Sequence, residues 1–209
     1  MQMREKTDKK DKIFYLIILF ALISFFGWCQ ETVYFRIRWK VWIDRGFLTL
    51  PFCTIYGFSL VAIYLIIGTP WSGRLKPLFL RAENLHLWLR IPAYIGLIAL
   101  YFLCAAAIPT VAEFVTALFF DRVFGVTLWD YSYYKYDLFG YVCLEMTVFW
   151  GVVITVAMGA IWPLLEKLIC KIPRHAAKII AFVLAALLIA DFIFNIAYLA
   201  VKGCHFALY

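Results

Sequence analysis

Three glutamates, Glu31, Glu113 and Glu145, stand in stretches that are otherwise almost wholly apolar. Carboxylates in such surroundings can capture a cation or a hydrogen-bond donor, or act as acid and base when their environments separate them. An ionisable side chain near the centre of a bilayer costs about 2.5–3.5 kcal/mol on insertion scales, so each acid needs a partner or a function. A fourth acid, Asp191, is followed by Asn195 and Tyr198 at i+4 and i+7, one face of a helix. Ser24, Trp28 and Glu31 form a second such stripe, and Thr110, Glu113 and Thr116 a third. Three polar faces are too many for lipid contact, so they are expected to face one another. A single stripe is more often glue between helices than a ligand site. Asp191 and Asn195 are read as a secondary polar face that leans toward glue, and Glu166, beside Lys167, as interfacial.

The elements that must position these residues are apolar blocks. Apolar types fill 66% of the 209 positions and mean hydropathy is +0.87, against roughly 45–50% apolar usage in a soluble domain. A span needs roughly 17–25 mostly apolar residues, and candidates run over about 13–35, 47–68, 89–120, 139–166 and 178–201. The expected fold class is therefore all-α: a polytopic integral membrane protein with a bundle of five transmembrane helices, forming one transmembrane domain over 1–209. No small-residue cleavage site follows the first block, which reads as a retained helix. The polar connection 69–88 has room for a short surface helix at most.

A formal charge of +7 would suggest nucleic acid in a soluble protein. Here basic loops set topology and sit on anionic lipid, so membrane lipids are the expected partners and nucleic acid is not. Thirteen Lys and Arg fall in the N-terminus and in the loops after the second and fourth spans, and seven on the other side. The positive-inside rule then puts the N-terminus in the cytoplasm and the C-terminus outside. At about 1.5 Å of rise per residue, Glu31, Glu113 and Glu145 reach the outer half of the membrane, with Asp191 near the midplane. Six cysteines show no CxxC pair, and no histidine lies inside a span. No metal, redox framework, haem or other cofactor is expected on that pattern.

Two loops face the same outer zone. In the first, Trp39, Lys40 and Trp42 read as headgroup anchors, while Arg45-Gly46 sits where the chain turns back into the membrane. A guanidinium there can fork onto a carboxylate, so Arg45 is expected to pair with one of the acids before any substrate binds. In the third loop, Trp129-Asp130-Tyr131-Ser132 lies in an aromatic run that could fold back as a lid. The candidate substrate-binding set is Glu31, Arg45, Glu113, Trp129, Asp130, Tyr131 and Glu145. No catalytic residue is assigned.

Several of these residues recur as a set. Phe26-Gly27-Trp28 with Glu31-Thr32, Asp44-Arg45-Gly46-Phe47-Leu48, Pro51, and Ile55-Tyr56-Gly57-Phe58 are followed by Glu113, Trp129-Asp130-Tyr131-Ser132, Gly140 and Trp150-Gly151. Together they resemble the bacterial membrane family described as Putative ABC-transporter type IV, from about residue 24 to about 168. Cys29, Gln30 and Ala117 depart from its pattern. The resemblance implies a permease role in the bacterial inner membrane, and its label an ATPase or other membrane subunit as partner. No Walker motif occurs among these residues. The expected function is a permease or substrate-capture subunit for a small molecule, with a polar cavity opening on the outer face. Two alternatives stay open. One is a membrane-embedded enzyme acting on a lipid or lipid-linked substrate, with Glu31, Glu113 or Asp130 as acid or base near Arg45. The other is a non-catalytic scaffold or sensor.

Overall fold

The computed structural model describes residues 11–43 and 45–206. Asp44 of the motif, and Arg4, Lys6, Lys9 and Lys10 of the charge count, lie outside the described residues. Backbone immersed in lipid must satisfy its own hydrogen bonds, so the apolar blocks fold as helices. Three are continuous: α1 (Lys12–Trp39), α4 (Leu87–Phe124) and α7 (Arg174–Lys202). A fourth rod is composite, with α5 (Leu144–Val156) passing through a π-helical turn (Ala157–Ile161) into α6 (Trp162–Ile169). All four rods are long and apolar enough to cross a bilayer. The chain is an all-α, multi-pass membrane protein.

The second apolar block departs from the expected full span. Its helix, α2 (Thr54–Ile66), has 13 residues, about 20 Å of rise against a hydrocarbon core about 30 Å thick. Residues 46–51 form a run of bends instead, entered through Gly46 at φ +100°. The left-handed region suits glycine, and a Cβ there would also stand 3.0 Å from the Cys53 sulfur. The bundle therefore has four long helices and one short one. The connection 69–88 does carry a surface helix, α3 (Lys76–Glu83). A two-stranded hairpin, β1 (Asp137–Leu138) with β2 (Val142–Cys143), precedes α5 and pairs Asp137 with Cys143.

The core lies where α1 meets α2, α6 and α7 and where α2 meets α4, with Leu19, Ile63, Tyr101, Met158 and Trp162 fully buried. Glycine sets the α1–α2 crossing. A Cβ on Gly27 would run into the Tyr56 ring, and one on Gly57 would meet the Ser24 hydroxyl and stand 2.7 Å from the Phe20 carbonyl oxygen. Small residues let the two backbones close up. Tyr56 is thereby laid against α1 one turn before Glu31.

The starts of α1 and α7 share one end of the bundle. Arg174 Nε lies 2.8 Å from Asp11 Oδ1, and the Tyr15 hydroxyl donates to the Ile172 carbonyl at 3.1 Å. At that end Glu166, read as interfacial, is turned into the protein. It is 3% exposed and accepts a hydrogen bond from the Tyr64 hydroxyl at 3.0 Å, while Lys167 is exposed. Successive helical residues point about 100° apart, so neighbours in sequence can face core and exterior.

Candidate functional site

Glu31 anchors the site. Its Oε2 lies 2.8 Å from Arg45 Nε, and its Oε1 accepts the Tyr56 hydroxyl at 2.8 Å. Arg45 reaches it because α1 stops at Lys40, held at φ +59°, and Gly46 turns the chain back over the helix end. The guanidinium also stands 4.2 Å from the centre of the Phe35 ring, a cation–π contact. Arg45 thus pairs with one of the expected acids, and Glu31 is the one.

Glu113, on α4, comes within electrostatic range of Glu31 and of the Tyr56 and Tyr131 hydroxyls. It is half-buried and has no hydrogen bond or ion pair among the described residues. Two of the hydroxyls on the neighbouring stripes, Thr110 and Ser24, are already used. Thr110 donates to the Ala106 carbonyl at 2.9 Å and meets Thr147 Oγ1 at 3.0 Å, and Ser24 donates to the Phe20 carbonyl at 2.7 Å. On the flank of Glu31, the buried atoms Trp28 Nε1 and Thr32 Oγ1 have no partner among the described residues. Two unengaged polar atoms and an unengaged acid therefore share this end of the bundle.

The third loop is braced by its own polar groups. The Trp129 indole donates to the Tyr141 carbonyl at 2.8 Å, and the Tyr131 N–H to the Gly140 carbonyl at 2.9 Å. Asp130 is exposed and accepts the Ser132 N–H at 2.8 Å, which holds its carboxyl below the usual range. Gly140, at φ +71°, leaves only 3.0 Å between a would-be Cβ and Asp130 Oδ1. Trp129 and Asp130 shape the loop, and Tyr131 is the residue it turns inward. Burial, and next the charge of Glu113, push the Tyr131 hydroxyl well above the usual range.

Glu145 makes no hydrogen bond or ion pair with this group among the described residues. The hairpin takes up residues 137–143, so α5 begins at Leu144 and Glu145 occupies its first turn, exposed. Expecting it at depth assumed a helix from residue 139. In the first turn an acid is favoured by the helix dipole instead.

Asp191 and Asn195 form a separate centre that fastens the bends of 46–51. Asp191 Oδ2 accepts the Leu50 N–H at 2.8 Å. The Asn195 amide nitrogen lies 3.0 Å from Thr49 Oγ1, 3.0 Å from Asp191 Oδ1 and 2.9 Å from the Asp191 carbonyl. Non-helical backbone in an apolar bundle survives only when protein groups satisfy it; Asp191 does so for Leu50, and Asn195 holds the Thr49 hydroxyl beside it.

Sequence reasoning passed over Tyr56 as a site residue, since a tyrosine in an apolar run reads as part of an aromatic belt. Its place in the Ile55-Tyr56-Gly57-Phe58 motif was the available signal. His205 was also passed over; its Nε2 lies 3.0 Å from the Phe47 carbonyl and closes the bends from the other side. Two apolar grooves lie away from the acids, one of about 440 Å³ between α4 and the α5 rod and one of about 350 Å³ between α3 and α4.

A family model described as Putative ABC-transporter type IV matches residues 18–196. No curated protein and no solved structure matches the chain. The matched stretch takes in Glu31, Arg45, Glu113, Tyr131, Asp191 and Asn195, so both polar centres fall inside it. With most of its length matched, this transport-related membrane protein belongs to the Putative ABC-transporter type IV family.

Proposed function

We propose that the chain is a membrane permease or substrate-capture subunit, and that Glu113 receives a small molecule entering between Arg45 and the third loop. The observation that carries this reading is the contrast between two neighbouring acids. Glu31 is engaged by Arg45 and Tyr56, whereas Glu113 has neither hydrogen bond nor ion pair among the described residues. A carboxylate kept in an apolar bundle without a partner fits a group whose partner arrives from outside. That partner would bring a positive charge or a hydrogen-bond donor, with Tyr131 beside it. Family membership supports transport as the context, and by its name an ATPase or another membrane subunit as partner. The positive-inside count supports an outward-facing entrance, since it assigns the Arg45 end to the exterior.

The test is a mass-spectrometric inventory of small molecules retained by wild type and Glu113→Gln purified in the same mild detergent. A molecule held near one per chain by wild type and absent from the variant is the expected result. Conversion of that molecule to a product would favour the enzyme reading. Identical inventories from the two proteins would overturn the site.

A further inference from the structure

The end of the bundle opposite the acids carries a groove built by the surface helix. α3 is pinned to α4 through Phe79, which is buried with its ring centre 5.3 Å from Trp71 and 5.6 Å from Tyr94. That attachment lines up Leu78 and Ala82 at i and i+4 of α3, with Leu85 just past its end, along one side. Ala93, Gly96 and Leu97 of α4 form the other side, and the space between them is about 350 Å³. Gly96 leaves the floor open, since a Cβ there would meet nothing within 4 Å. Arg81 is the charged residue of the lining.

The surroundings narrow the occupant. From 74 to 90 the chain carries Arg74, Lys76, Arg81 and Arg90 against one acid, Glu83, and all four cations are exposed. Exposed Leu80, Leu87 and Trp88 surround them, Trp88 at 81%. Apolar and basic side chains interleaved in this way suit the headgroup level of an anionic leaflet. A second copy of the chain would bring the same four cations against these four, which disfavours it.

We propose that this groove is a binding site for an anionic phospholipid, with an acyl chain lying between α3 and α4 over Gly96 and the phosphate on Arg81. A guanidinium forks onto phosphate oxygens in a way that a choline headgroup's own cation would offset. The apolar walls take the chain and the arginine selects the head.

Native mass spectrometry of the full chain with added dioleoyl-phosphatidylglycerol or dioleoyl-phosphatidylcholine tests this. Wild type is expected to retain phosphatidylglycerol roughly tenfold better than phosphatidylcholine. Arg81→Gln should bring the two lipids level, and Gly96→Leu, which fills the floor, should lose the adduct with either. Arg38→Gln, an exposed cation on the other end of the bundle, should behave as wild type. If Gly96→Leu does not fold, Leu85→Trp narrows the same groove from the α3 side and carries the same expectation. Equal retention of both lipids by wild type would overturn the proposal, as would undiminished phosphatidylglycerol binding in Arg81→Gln and the groove-filling variant. A dimer mass that excludes lipid would assign the groove to a second copy and overturn it as well.

Discussion

Glu31 and Glu113 differ in company more than in position. Glu31 has two donors, and Glu113 has only the charge of Glu31 and the Tyr131 hydroxyl within electrostatic range. The arginine at the turn could be read from sequence, because Arg45-Gly46 stands where the chain must reverse beside an acid-bearing helix end. Tyr131 yields a pH prediction. Its folded hydroxyl holds its proton beyond the value near 10 of an unfolded tyrosine. The unfolded chain therefore loses that proton first, and stability that is full below about pH 10 falls as pH rises toward the folded value. Thermal unfolding from pH 8 to 11 should show a decline that is shallower in Tyr131→Phe than in wild type. Parallel declines would mean that Tyr131 is not buried beside Glu113.

Among the elements, the long rods follow directly from uninterrupted apolar length, and α1, α4 and α7 begin and end within a few residues of the blocks read for them. α2 does not, for a physical reason. Residues 47–53 are apolar enough to count as helix, but the Leu50 N–H goes to Asp191 and the Thr49 hydroxyl meets Asn195, some 141 and 146 residues away, which no local pattern announces. Glu145 was misplaced for a related reason, because a hairpin of two-residue strands leaves little mark in composition. The α1–α2 crossing carries a prediction of its own. Gly57→Val puts a branched side chain into the Ser24 hydroxyl and the Phe20 carbonyl, and overpacking of this kind costs about 1–3 kcal/mol. A lower melting temperature is expected. A variant as stable as wild type would show that the helices can part there freely, and that Tyr56 is not fixed on Glu31 by their contact.

At the scale of the whole molecule, two polar centres divide the work, with Asp191 and Asn195 fastening irregular backbone and Glu31, Arg45, Glu113 and Tyr131 grouped at the third-loop end. The proposal that this end faces the exterior rests on the charge asymmetry of the loops. Single cysteines on a cysteine-free background test the assignment: Ser132 and Lys135 positions should react with an impermeant label from outside, and an Arg174 position should not. The reverse pattern would turn the entrance toward the cytoplasm. The division of work itself is tested most directly by thermal unfolding of Glu113→Gln and Asp191→Asn, side by side and without added ligand. Glu113→Gln removes no hydrogen bond and should stay within about 0.5 kcal/mol of wild type. Asp191→Asn weakens the acceptor of the Leu50 N–H and should lose about 1–3 kcal/mol. If Glu113→Gln proves as destabilised as Asp191→Asn, Glu113 is part of the packing and not a group held open for a ligand.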